Sequence, residues 1–150
     1  MMSTARKHGI PIKCGAEELV AFLKSRDIRI AIATSTDREK ALLCLGRFAA
    51  KFDVIVTGDQ VTHGKPSPEI FLLAARRLNI PPQACLVLED AEAGVYAASA
   101  ANMPVIVVPD LKPCTEEMRA HVARICSSLS QVTELISSIE DEPVTTRDRF

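Results

Sequence analysis

The stretch that most constrains the fold is CLVLEDAEAGVYAASAA, running from Cys85 to Ala101. An apolar run, Cys85-Leu86-Val87-Leu88, leads straight into two adjacent carboxylates, Glu89 and Asp90, and a helical pattern of small residues follows at once. That order is the order of a buried parallel strand, a tight turn and a helix packed close against the sheet. In open α/β sheets, ligands bind beyond the carboxyl ends of the strands. Glu89 and Asp90 stand at such an end. Two neighbouring carboxylates repel unless a proton or a cation intervenes, and a hard, oxygen-seeking ion such as Mg²⁺ is the economical candidate. The alternative is a turn acid followed by a helix N-terminal charge that the helix dipole favours.

The same alternation extends through the chain. The spacing of Leu19, Val20, Phe22 and Leu23 predicts a helix over 15–25, and IRIAIA predicts a strand over 28–33. A helix over 37–50 follows, with Thr36 and Glu39 at capping-box spacing. Residues 53–56 read as a strand, and Ser67-Pro68 as the start of a helix carrying Ile70, Phe71, Ala74, Ala75 and Leu78. After the 85–101 unit come a strand over 105–108 and helical segments over 115–126 and 131–139. Strands alternating with helices specify an α/β fold with a doubly wound, mostly parallel, Rossmann-like sheet. We expect a core over 14–139, with residues 1–13 as a linker-like lead and 140–150 as a loose polar tail.

Composition narrows the function classes. A formal net charge of −1 gives no reason to expect nucleic acid or an acidic membrane as partner. No apolar run is long enough to span a bilayer, and the first 13 residues show no signal-peptide core. Five cysteines at irregular spacing, without a C-x-x-C pair, suit reduced thiols and a cytoplasmic protein.

Three groups could carry chemistry. Thr34, Ser35 and Thr36 place hydroxyls at the start of a helix, where free N–H groups bind anions; ordinary N-capping is the alternative. Lys65, held between Gly64 and Pro66, could neutralise a phosphate or hold a carboxylate, or could simply be solvated. His63 is a candidate acid or base, and Asp110 reads as a turn residue. Convergence strengthens the case: hydroxyls, lysine and acid pair each follow a strand, and parallel strands bring those ends to one edge. Hydroxyl, cation and carboxylate together make a phosphate site.

In that order, ATST at 33–36, GKPSPEIF at 64–71 and LEDAEAGVYAA at 88–98 resemble the second, third and fourth motifs of the haloacid dehalogenase superfamily, in its phosphatase and phosphoglucomutase-like branch. The likeness covers about residues 11–110. It implies that Thr34 binds the phosphoryl group, with Ser35 beside it as a further candidate from its hydroxyl, that Lys65 neutralises the group and orients the nucleophile, and that Asp90, with Glu89, holds Mg²⁺. It implies a small phosphorylated metabolite as substrate. The family's opening motif, a strand ending in D-x-D-x-T that supplies the nucleophile and the acid/base, is found nowhere in these 150 residues. The chain opens where the resemblance places the end of the helical cap.

Two expectations follow. The chain should not turn over substrate alone, and its Mg²⁺ site should be weak or absent without the further aspartates. The resemblance also puts the absent strand between 28–33 and 85–88. That gap should close by direct pairing, be filled by another chain through self-association or strand complementation, or leave the protein poorly folded. A module that binds a phosphate ligand or a partner without catalysis is the rival reading. A phospho-receiver domain ranks low, because the strand over 28–33 ends in hydroxyls rather than acids.

Overall fold

Helix α1 (Ala16–Ser25) begins where Gly15 takes a left-handed φ of 88°, and buries Ala16, Leu19 and Val20 on one face. Short strands alternating with helices follow in the computed structural model, which describes residues 13–110 and 112–140. In order these are β1 (Ala31–Ala33), α2 (Arg38–Leu45), β2 (Val54–Val56), α3 (Glu69–Leu78), β3 (Val87–Glu89), α4 (Glu92–Ala100), β4 (Val105–Val107), α5 (Glu116–Arg119), β5 (Arg124–Ile125) and α6 (Leu129–Glu140). Of the lead expected over 1–13 and the tail expected over 140–150, residues 1–12 and 141–150 lie outside the described residues.

Every strand pair is parallel, as the sequence requires, but the strands form two sheets rather than one. Among the described residues β1 pairs only with β2, while β3, β4 and β5 form the second sheet in that order. β1 and β3 do not pair, so direct closure of the gap, one of the three expected outcomes, does not occur. The reason lies in the helices. α3 buries Ile70, Phe71, Ala74 and Ala75 in a cluster that includes Val56 of the first sheet and Val87 of the second. On the opposite face, α1 and α6 pack Leu19, Val20, Leu129 and Val132 with Ile30 of the first half and Ile106 of the second. Each layer packs against residues of both halves.

Three local readings need correction. Thr36 does not cap α2. Asp37 does, accepting from the Lys40 N–H at 3.0 Å, because its carboxylate reaches the third helical amide and the helix starts one residue later. The helix read over 37–50 ends at Leu45 and tightens into a 3₁₀ segment, Gly46–Lys51, where Phe48 packs edge-on against Phe52 at 5.1 Å. The helix read over 115–126 is only the short α5. Past Ala120 the chain extends and β5 joins the sheet edge, with the Ala123 and Cys126 N–H groups donating to the Val105 and Val107 carbonyls. The free edge of β4 outcompetes a helix that has only one buried anchor, Met118. All five cysteines are free thiols. Among the described residues no helix is long and apolar enough to cross a membrane.

Candidate phosphate site

Lys65 is the centre of the site. Its loop is shaped by Glu69, in the first turn of α3, whose carboxylate accepts the Thr62 and His63 N–H groups at 2.8 and 2.9 Å. Those amides hold the Glu69 carboxyl below the usual carboxylate range. The loop then carries Lys65 inward. Its ammonium donates to Glu89 Oε1 at 2.5 Å and to the Ala33 carbonyl at 3.2 Å, and lies 4.9 Å from the centre of the Phe71 ring. The Lys65 and Glu89 side chains are only 9% and 4% exposed, so this is a buried ion pair. One cation thus joins the ends of β1 and β3, bringing Lys65, Glu89 and Ala33, the residue preceding Thr34, together at one edge.

Glu89 is held from a second side. Its other oxygen, Oε2, lies 3.3 and 3.4 Å from the Asp90 and Ala91 N–H groups, which donate to it at the start of α4. Gly94 faces the same carboxylate: a Cβ there would overlap the Glu89 carboxyl group. Asp90 follows, half-buried.

At the β1 end, Thr34 is buried, and its Oγ1 accepts the Thr36 N–H at 3.2 Å. Ser35 is exposed. Its carbonyl presses on Gly58 so closely that a Cβ on Gly58 would overlap it. The helix-start amides expected to bind an anion are partly taken. The Arg38 N–H donates to Asp59 Oδ1 at 3.1 Å and the Lys40 N–H to Asp37. His63 is not drawn into the site; it is exposed, with Nδ1 3.4 Å from Glu69 Oε2. Asp110 is exposed.

The carboxylates suit a hard cation, since Mg²⁺ is commonly bound by one or two carboxylates together with water and phosphate. The set is nonetheless short. Glu89 is engaged by Lys65 and two amides, and among the described residues no group of three His, Cys, Asp or Glu side chains could hold a metal ion.

Sequence reasoning missed Glu69, Gly94 and the pair Thr57–Asp59. Thr57 is fully buried, and its hydroxyl donates to Asp59 Oδ1 at 2.6 Å, holding the Asp59 carboxyl below its ordinary value. A depressed folded pKa contributes stability above the unfolded value and loses it as pH falls through the folded one. Thr57→Val should raise the Asp59 pKa toward the ordinary value in a carboxyl NMR titration and move the onset of acid unfolding to higher pH.

The haloacid dehalogenase-like hydrolase profile matches residues 4–102. The chain belongs to this family. The phosphorylated carbohydrates phosphatase of Thermotoga maritima is 47% identical over 91 residues, covering 59% of this chain and 42% of that protein. Fructose-1-phosphate phosphatase YqaB of Escherichia coli is 40% identical over 94 residues, covering 60% and 50%. The crystal structure of CbbY from Rhodobacter sphaeroides in complex with phosphate superimposes with a TM-score of 0.73 at 36% identity, over 82% of this chain and 56% of that one. The chain spans about half the length of these relatives.

Proposed function

We propose that this chain carries the phosphate-recognition half of a phosphatase for small phosphorylated metabolites and does not by itself complete the reaction. The observation that carries this reading is the double engagement of Lys65, bonded to the end of β1 and to Glu89 at the end of β3. A buried ammonium at the end of β1, where Thr34 and Ser35 follow in sequence, would stabilise the negative charge of a phosphoryl group. Relatives acting on phosphorylated carbohydrates and fructose 1-phosphate favour a sugar phosphate as ligand.

In the reaction that the family resemblance implies, an aspartate displaces the alcohol from phosphorus and water then releases phosphate. The chain's own residues do the electrostatic part. Lys65 neutralises the phosphoryl oxygens, Thr34 and Ser35 orient them, and Glu89 keeps the ammonium in place. A bound Mg²⁺, held by Asp90 with Glu89, would add charge neutralisation at the same oxygens. No aspartate follows an apolar strand in a D-x-D pattern in this sequence, and Asp27 and Asp53 precede β1 and β2, at the opposite edge.

The test has two arms. Titration of inorganic phosphate followed by ³¹P NMR should show saturable binding, at least tenfold weaker in Thr34→Val. Incubation with Mg²⁺ and a panel of sugar monophosphates should release no phosphate above the buffer rate. Mg²⁺-dependent release that Asp90→Ala abolishes would overturn the claim of incompleteness. Absence of phosphate binding would overturn the recognition site.

A further inference from the structure

We propose that Asp59 is a positioning residue for the phosphate site: it fixes the segment between β1 and α2, and through that segment the Thr34 hydroxyl, in the place where an anion is bound. The inference rests on the phosphate reading above and adds to it the group that sets the geometry. The Thr34 hydroxyl oxygen accepts the Thr36 N–H at 3.2 Å, so the hydroxyl keeps its own proton for another acceptor. Thr34 is buried, and the aim of its hydroxyl depends on where the Thr36 backbone lies.

The turn after β2 fixes that backbone by three ties. The Thr34 N–H donates to the Val56 carbonyl at 3.0 Å, and the Gly58 N–H donates to the Thr36 carbonyl at 2.9 Å. The third tie is made by a side chain: Asp59 Oδ1 accepts the N–H of Arg38, the first residue of α2, at 3.1 Å. The segment is thus held at its start, its middle and its end. It is also pressed close, since the Ser35 carbonyl occupies the space that a Cβ on Gly58 would need.

Asp59 matters more than the other two ties because packing does little at this point. α2 buries only Ala41, so apolar contact alone does not fix where the helix starts. A carboxylate acceptor makes a stronger hydrogen bond than a neutral one, and this carboxylate is itself anchored: the fully buried Thr57 donates its hydroxyl to the same Oδ1 at 2.6 Å. Removing the carboxylate would not leave a buried group stranded. The Thr57 hydroxyl has Gln60 Oε1 as a second acceptor at 3.1 Å, and Arg38 is exposed, so its amide can turn to water. The fold should therefore survive the loss of Asp59 while the start of α2 and the segment before it loosen.

The experiment compares Asp59→Ala and Asp59→Asn with the unaltered chain. Both variants remove a negative charge, which by electrostatics alone would favour an anion. Asparagine keeps an oxygen where Oδ1 stands; alanine does not. Inorganic phosphate followed by ³¹P NMR should bind about fivefold or more weakly to Asp59→Ala, against the electrostatic trend, and as tightly or more tightly to Asp59→Asn. Hydrogen exchange without phosphate should quicken about tenfold at the Thr36 and Gly58 amides of Asp59→Ala, with the Val87 and Val108 amides of the second sheet unchanged. Asp59→Ala binding as tightly as the unaltered chain, or Asp59→Asn binding as weakly as Asp59→Ala, would overturn the proposal. Equal quickening at all four amides would overturn it too, because Asp59 would then serve general stability. An unaltered chain that binds no phosphate would overturn the phosphate reading instead, and the exchange rates would still decide whether Asp59 holds the segment that carries Thr34.

Discussion

Replacing Glu89 by alanine should destabilise the fold by about 3–5 kcal/mol, the cost of leaving one member of a buried ion pair without its partner. Lys65, 9% exposed in the intact pair, would keep the Ala33 carbonyl and the Phe71 ring as contacts. Neither supplies a negative charge. The Asp90 and Ala91 amides would lose their acceptor as well. Against a typical domain stability of about 5–15 kcal/mol, this loss would consume a large part of the margin, and urea unfolding would read it as a lower midpoint at constant slope. Removing both charges should behave differently. In Lys65→Met/Glu89→Leu the desolvation cost vanishes along with the attraction, and such apolar replacements are often neutral or stabilising. The double variant should therefore unfold at a higher urea concentration than Glu89→Ala alone. If Glu89→Ala costs less than about 1 kcal/mol, the value of an exposed pair, the pair is not structural and Lys65 is held by other means.

Gly94→Ala should also destabilise, against its local propensity. In an exposed helix interior, alanine is preferred to glycine by roughly 0.5–1 kcal/mol. In α4 the added Cβ would overlap the Glu89 carboxylate, and overpacking typically costs about 1–3 kcal/mol. The carboxylate cannot withdraw freely, because Lys65 and two amides hold it. We expect a net loss of about 2–3 kcal/mol, the overlap outweighing the propensity gain. The two predictions are coupled. With Glu89 already cut to alanine, the overlap is gone, and Gly94→Ala should then be neutral or slightly stabilising. Additive effects in that double-mutant cycle would mean that the two residues do not meet.

Much of the architecture is legible in the sequence because its signals are local. IRIAIA, DVIV, CLVLE and VIVV each end at Thr, Glu or Pro, and the helices between them keep a 3.6-residue period, so the parallel α/β order follows from spacing alone. The family motifs placed Lys65 and Glu89 at one edge, and the structure brings them to an ion pair. What could not be read depends on distant neighbours. The seat for Glu89 requires knowing that α4 passes close enough for Gly94 to touch it, and nothing in EAGVY states that distance. Asp37 displaces Thr36 as the cap of α2 by one residue, a difference within the ordinary uncertainty of helix starts. β5 has only two residues, both exposed, and becomes a strand because β4 offers it an edge. The separation of the two sheets depends on α1, α3 and α6 bridging them, a property of packing rather than of any one segment.

The two-sheet arrangement gives the molecule a fault plane. β4 is fully buried and paired on both sides, while β1 and β3 border the plane with one neighbour each. Resistance to mechanical pulling should be uneven as a result. A force applied to draw the β1–β2 half away from the β3–β4–β5 half would meet helix packing and the Lys65–Glu89 contact, but no ladder of strand hydrogen bonds to shear. The halves should therefore part at low force as two cooperative units, the second outlasting the first, and the Lys65–Glu89 contact would be the polar clasp that sets when the plane opens.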